Sequence, residues 1–79
     1  MNTHPALRVV VGEDEPVFRA GLVHVLGAAG FDVVASAENA DDLVAQVRAH
    51  LPDVVVVDIR MPPNFQDDGL KAAREIRTI

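Results

Sequence analysis

The chain has 79 residues, 49% of them hydrophobic and 24% charged, with no cysteine and a formal net charge of −5. That length allows one small domain, and the composition is globular rather than disordered. The acidic balance, with a pI near 4.9, argues against direct attraction to nucleic acid or anionic membrane. Without cysteine there is neither a disulfide framework nor a thiolate zinc site.

The longest apolar run, Val54 to Val57, is far short of the roughly 20 residues a membrane span needs. The start, "MNTHPALR", has no charged region followed by an apolar core of the signal-peptide kind. The cytoplasm is therefore the expected compartment.

In chain order, "ALRVVV" (6–11) is a β-branched run between Pro5 and Gly12 and reads as a strand, with Glu13 and Asp14 just past its end. From Pro16 the spacing changes. Phe18, Leu22, Val25, Leu26 and Ala29 recur at intervals of three and four, which predicts one helix face against a core. Pro16 suits the first helical turn and Gly30 the exit. "FDVVASA" (31–37) predicts a second strand.

Asn39 then fits the cap of a second helix whose first turn carries Asp41 and Asp42. Leu43, Val44, Val47 and Leu51 supply its apolar face, and Pro52 pushes Leu51 out of helical geometry. Val54 to Val57 form the third strand, expected to be the most buried of the three. A loop over 61–68 leads to "DGLKAAREIR", where Leu70, Ala73 and Ile76 have helical spacing. The order βαβαβα implies parallel strands joined by right-handed crossovers, and continuous valines fit strands covered on both faces.

In such a sheet all strand C-termini lie along one edge, where ligands bind. Glu13 and Asp14 follow the first strand and Asp58 the third. On neighbouring strands about 4.8 Å apart, the three carboxylates share a small volume. Two like charges at 4 Å repel by roughly 4 kcal/mol at an effective dielectric of 20, so such a site calls for a cation. All-oxygen ligation selects magnesium, with manganese as a substitute, or calcium over zinc. The plainer alternative is that Glu13 and Asp14 belong to a helix cap, with Asp14 capping the helix that begins at Pro16.

"VVVGEDEPVFRAGL" followed by "PDVVVVDIRMPP" resembles the receiver domain of bacterial two-component response regulators, particularly those with a helix-turn-helix output domain of the NarL/LuxR type. The resemblance runs from about Leu7 to Ile79. It implies a flavodoxin-like α/β fold and phosphoryl transfer from a partner histidine kinase to an aspartate, with transcription as the usual output. Asp58 then matches the phospho-acceptor and Asp14 the direct magnesium ligand. Glu13 matches the acid acting through a metal-bound water, and the backbone carbonyl of Arg60 the third protein ligand. Met61-Pro62 would fix the turn that aims this carbonyl.

The chain departs from the pattern in three places. Glu13 stands where aspartate is commoner, and the stretch from Asp58 to Gly69 is longer than usual. The chain also ends before the last two strands that the resemblance implies, and so before their hydroxyl and lysine residues. Lys71 lies in a predicted helix and does not replace that lysine. The expectation is thus a receiver domain over 1–79, incomplete, with three strands and three helices. Its third strand would leave an apolar edge, and it would self-associate through that edge or over an uncovered sheet face.

Other polar residues fit plain roles. His4 lies in the N-terminal stretch, His24 on the outer side of the first helix, and His50 near a helix end. Arg48, Arg74 and Arg77 suit solvated helix positions, and Asp67 and Asp68 the cap of the third helix. Two rival functions remain: an interaction module of the same fold without phosphorylation, and a metal-dependent phosphotransferase or phosphatase using Asp58 as nucleophile. Haloacid-dehalogenase-like enzymes carry a second aspartate two residues after the nucleophile, where this chain has Arg60, so the chain is expected not to be an enzyme. No glycine-rich phosphate loop follows the first strand, which counts against nucleotide binding.

Overall fold

The computed structural model describes residues 5–59. These form β1 (Arg8–Glu13), α1 (Pro16–Ala28), β2 (Asp32–Ala37), α2 (Ala40–His50) and β3 (Val54–Asp58). The three strands pair in parallel in the order β2-β1-β3, the beginning of the flavodoxin-like order. The expected third helix, the loop before it, Arg60, Lys71 and the 67–68 acids lie outside the described residues.

β1 lies between its two partners, and Val9, Val10 and Val11 are the most deeply buried valines. β3 was expected to be the most buried strand, but Val54 and Val57 are 38% and 40% exposed. The valine content of the two strands is alike; position in the sheet separates them. Among the described residues β3 pairs with β1 alone.

Strand ends also move. β1 runs to Glu13 and β3 to Asp58, so both acids stand in the ladder rather than past it. Pairing sets a strand end, and local composition does not reveal the partner. One irregularity falls between Val9 and Val10, where β2 carries an extra residue, Val34.

Alternation along β1 divides the core into two layers. Val10, Ala37, Leu43, Val47 and Ile59 form the cluster on the α2 side, with Val34, Ala35 and Val55 packed against it. Val9, Val11 and Glu13 therefore face the α1 side. Leu43, Val44 and Val47 are buried as expected, whereas Leu51 is 63% exposed. The chain leaves α2 at Leu51 in the left-handed region, with φ 47°, which turns its side chain off the helix face.

The inner face of α1 differs in part from expectation. Leu22 and Leu26 are half-buried as expected, Arg19 and Val23 join them, and Phe18, Val25 and Ala29 are exposed. Apolar residues occur all round this helix, so periodicity finds the helix without choosing its face. The helix ends as Gly30 and Phe31 donate their N–H groups to Gly27 O and Leu26 O at 3.1 and 3.0 Å, with Gly30 at φ 100°. This is the paired Schellman closure that glycine permits. Asn39 caps α2, its Oδ1 accepting from Asp42 N at 2.8 Å.

Hydrogen bonds from Arg8 tie the start of β1 to the end of α2 and to Asp53, just before β3. Arg8 Nη1 donates to His50 O at 2.7 Å and to Leu51 O at 3.2 Å, two carbonyls at the end of α2. Arg8 N donates to Asp53 Oδ2 at 2.8 Å, and Asp53 N returns to Arg8 O at 2.9 Å.

Candidate functional site at the carboxyl ends of β1 and β3

The register of β1 against β3 ends on Glu13 opposite Asp58. Partners in parallel strands present the same face, so these two carboxylates belong to one edge of the sheet. Asp14 follows immediately and is half-buried, as is Asp58.

Beneath them lies Gly12. A Cβ at this position would stand 2.9 Å from Leu43 Cδ2 and 3.3 Å from Ile59 Cδ1. Glycine thus lets Leu43 seat under the acidic edge, where Leu43 is fully buried.

The helix-cap alternative divides between two neighbouring residues. Glu15, not Asp14, is the N-cap of α1: its Oε2 accepts from Phe18 N at 2.7 Å. Pro16 follows at the first helical position, which a cap directly before a proline would have signalled in sequence. Asp14 is therefore not used in holding the helix.

Glu13 is 2% exposed, the one buried charged side chain among the described residues. Its Oε1 accepts from Glu15 N at 3.3 Å, while its Oε2 is buried without a hydrogen-bond partner among the described residues. Burial pushes the Glu13 carboxyl above its ordinary range. Asp58 adds to the rise, because it accepts a hydrogen bond from the protonated form and repels the charged one. Asp14 adds further repulsion, and the Glu15 N–H opposes the trend.

Among the described residues no three histidine, cysteine, aspartate or glutamate side chains form a ready-made metal cluster. Magnesium asks for less. It is held by one or two carboxylates with waters and phosphate oxygens around it. The orphaned Glu13 oxygen and the mutual repulsion with Asp58 fit a cation at this edge, because a positive charge relieves both.

Two contributors escaped the sequence reading. Arg19 Nη1 donates to Glu13 O at 2.9 Å, a link across six residues that no helical spacing rule anticipates. Arg8 closes α2 from 42 residues away, which only the assembled sheet reveals. The expectations for His24 and His50 hold: His24 is exposed, and half-buried His50 lies in the last turn of α2. Among the described residues no helix is long and apolar enough to cross a membrane.

Residues 9–79 match the family described as "Response regulator receiver domain". Over 73 residues the chain is 41% identical to "Probable transcriptional regulatory protein NarL" of Mycobacterium tuberculosis, covering 91% of this chain and 32% of that protein. It is 38% identical over 74 residues to "Chemotaxis protein CheY" of Bacillus subtilis, covering 94% of this chain and 59% of CheY. The solved signal receiver domain of the Mycobacterium tuberculosis response regulator NarL superimposes with a TM-score of 0.74 at 36% identity. That superposition covers 94% of this chain and 60% of the other. The match spans nearly the whole sequence, including both strand-end acid positions, and the chain belongs to the response regulator receiver domain family.

Proposed function

We infer that the edge formed by Glu13, Asp14 and Asp58 is a phosphoryl-accepting site, with Asp58 as the acceptor and a sensor histidine kinase as the donor. The observation that carries this reading is the pairing of Glu13 with Asp58 at the last register position of β1 and β3. Membership of the receiver family supports it. Asp14, Asp58 and the backbone carbonyl of Arg60 would hold Mg2+, with Mn2+ as substitute and Glu13 acting through a bound water. When bound, the cation neutralises charge on the phosphoryl oxygens.

In the transfer, an Asp58 carboxylate oxygen forms the new bond to phosphorus. The bond from phosphorus to the donor imidazole nitrogen breaks, and that nitrogen keeps the electron pair and is then protonated. Glu13 supplies negative charge behind the site, and Asp14 is free to face the incoming group because Glu15 does the capping.

Receiver domains are signalling modules, and the chain is read as such rather than as an enzyme. Further readings follow from the same family: a transcriptional output, a cytoplasmic location, and no direct contact of this chain with nucleic acid or membrane. Self-association would use the β3 edge or an uncovered sheet face, because Val54 and Val57 are exposed there. The chain spans 60% of the length of the solved NarL receiver.

The test is exposure of the chain to a small phosphoryl donor with and without Mg2+, read by intact mass, with Asp58→Asn alongside. One added phosphoryl group is expected only in the wild type with Mg2+. A gain that survives in Asp58→Asn removes Asp58 from its role and favours a different acceptor.

A further inference from the structure

The short connection from β1 to α1 carries the acidic pair, and three hydrogen bonds fix it. Glu15 N donates to Glu13 Oε1 at 3.3 Å, Phe18 N donates to Glu15 Oε2 at 2.7 Å, and Arg19 Nη1 donates to Glu13 O at 2.9 Å. The first two hold Glu13 and Glu15. The third acts on the peptide that joins Glu13 to Asp14.

A carbonyl and the following N–H lie in one plane. Fixing Glu13 O therefore fixes the direction in which the chain enters Asp14. Arg19 N also donates to Glu15 O at 2.8 Å, so the backbone and the side chain of Arg19 grip the connection from both ends. Its guanidinium places positive charge beside a run of three acids, Glu13, Asp14 and Glu15.

We propose that Arg19 is a positioning residue for the acidic edge: by holding the Glu13 carbonyl it aims the Asp14 carboxylate toward the position beside Asp58. It touches neither the cation nor the phosphoryl group in this role. The proposal deepens the phosphoryl-accepting reading and rests on it. The guanidinium is suited to the task because its planar, always charged fork donates in a fixed direction. Groups that orient metal ligands from behind commonly change affinity by tenfold or more when removed.

Arg19 lines an open groove of about 480 Å³ with Pro16, Ala20, Val23, His24 and Ser36. Its half-buried stem thus lines the groove at the edge of the inner face of α1, outside the fully buried core. Arg19→Met keeps a long unbranched stem, removes the donors and leaves core packing alone. Arg19→Lys keeps a cation and a donor.

The experiment compares Mg2+ affinity by calorimetry, urea unfolding by circular dichroism, and amide hydrogen exchange at Asp14 and Glu15 in the wild type and both variants. In Arg19→Met, Mg2+ binding is expected to weaken roughly tenfold and exchange at the two amides to speed up, with the unfolding midpoint unchanged. Arg19→Lys is expected to recover part of both. Wild-type affinity and exchange in Arg19→Met overturn the proposal, as does a loss of affinity that tracks a lowered midpoint. A wild-type chain that binds no Mg2+ overturns the metal reading instead, and the exchange data then decide the Arg19 clamp by themselves.

Discussion

Glu13 pays for its place. It is a buried carboxylate with one orphaned oxygen, and its raised pKa makes the chain's stability depend on pH. The unfolded chain ionises Glu13 near 4.5, whereas the folded chain holds the proton to a higher pH. As pH rises through that window the folded state binds more protons than the unfolded one, so stability falls. Below the window Glu13 is neutral in both states and adds nothing to the pH dependence. Glu13→Gln is expected to remove this slope and to stabilise the metal-free chain at neutral pH, because it takes away the buried charge that desolvation and Asp58 disfavour. Urea titrations from acid to neutral pH check it. Added Mg2+ is expected to stabilise the wild type more as pH rises, because it favours the charged form. A cation bound at this edge would offset that cost, and the sequence showed the acid but not its burial. Asp58 was legible because it ends a valine run. The exclusion of Asp14 from capping was not, because Asp14 and Glu15 compete for that role within two positions and only geometry separates them.

At the scale of elements, α2 ends at a strained residue. Leu51 adopts φ 47° with an exposed side chain, and a left-handed conformation costs a residue with a Cβ roughly 1–2 kcal/mol. Asn39, the two first-turn aspartates and the buried Leu43-Val44-Val47 face hold the rest of the helix. Arg8 braces the exit through the carbonyls of His50 and Leu51. Leu51→Gly is expected to stabilise the chain by about 0.5–1 kcal/mol, since the strain it relieves exceeds the added freedom of glycine in the unfolded chain. Thermal unfolding measures this, and destabilisation would show that Leu51 makes contacts its exposure does not suggest. The caps of α2 and the Gly30 exit of α1 were readable in advance because each depends on residues close in sequence. The inward face of α1 was readable only at Leu22 and Leu26, because Val17, Phe18, Leu22, Val23, Val25 and Leu26 offer apolar surface in several directions. Only packing on β1 and β2 selects Leu22, Val23 and Leu26.

In the whole molecule, sheet order brings acids far apart in sequence to one edge. β1 lies between β2 and β3, so the ends of β1 and β3 meet, and the last paired positions are Glu13 and Asp58. The parallel βαβαβ arrangement followed from alternation of valine runs with helical periods. The register followed from nothing local, because a slip of two residues keeps every valine on its face. That register is what joins fold to function. The most direct measurement is a Mg2+ titration of the chain followed by backbone amide resonances, with Asp14→Asn as control. Saturable shifts centred on Glu13, Asp14 and Asp58, and lost in Asp14→Asn, are expected. Shifts that are absent at millimolar Mg2+, or that spread instead over the exposed acids Glu38 and Asp41, would contradict a cation site at the ends of β1 and β3.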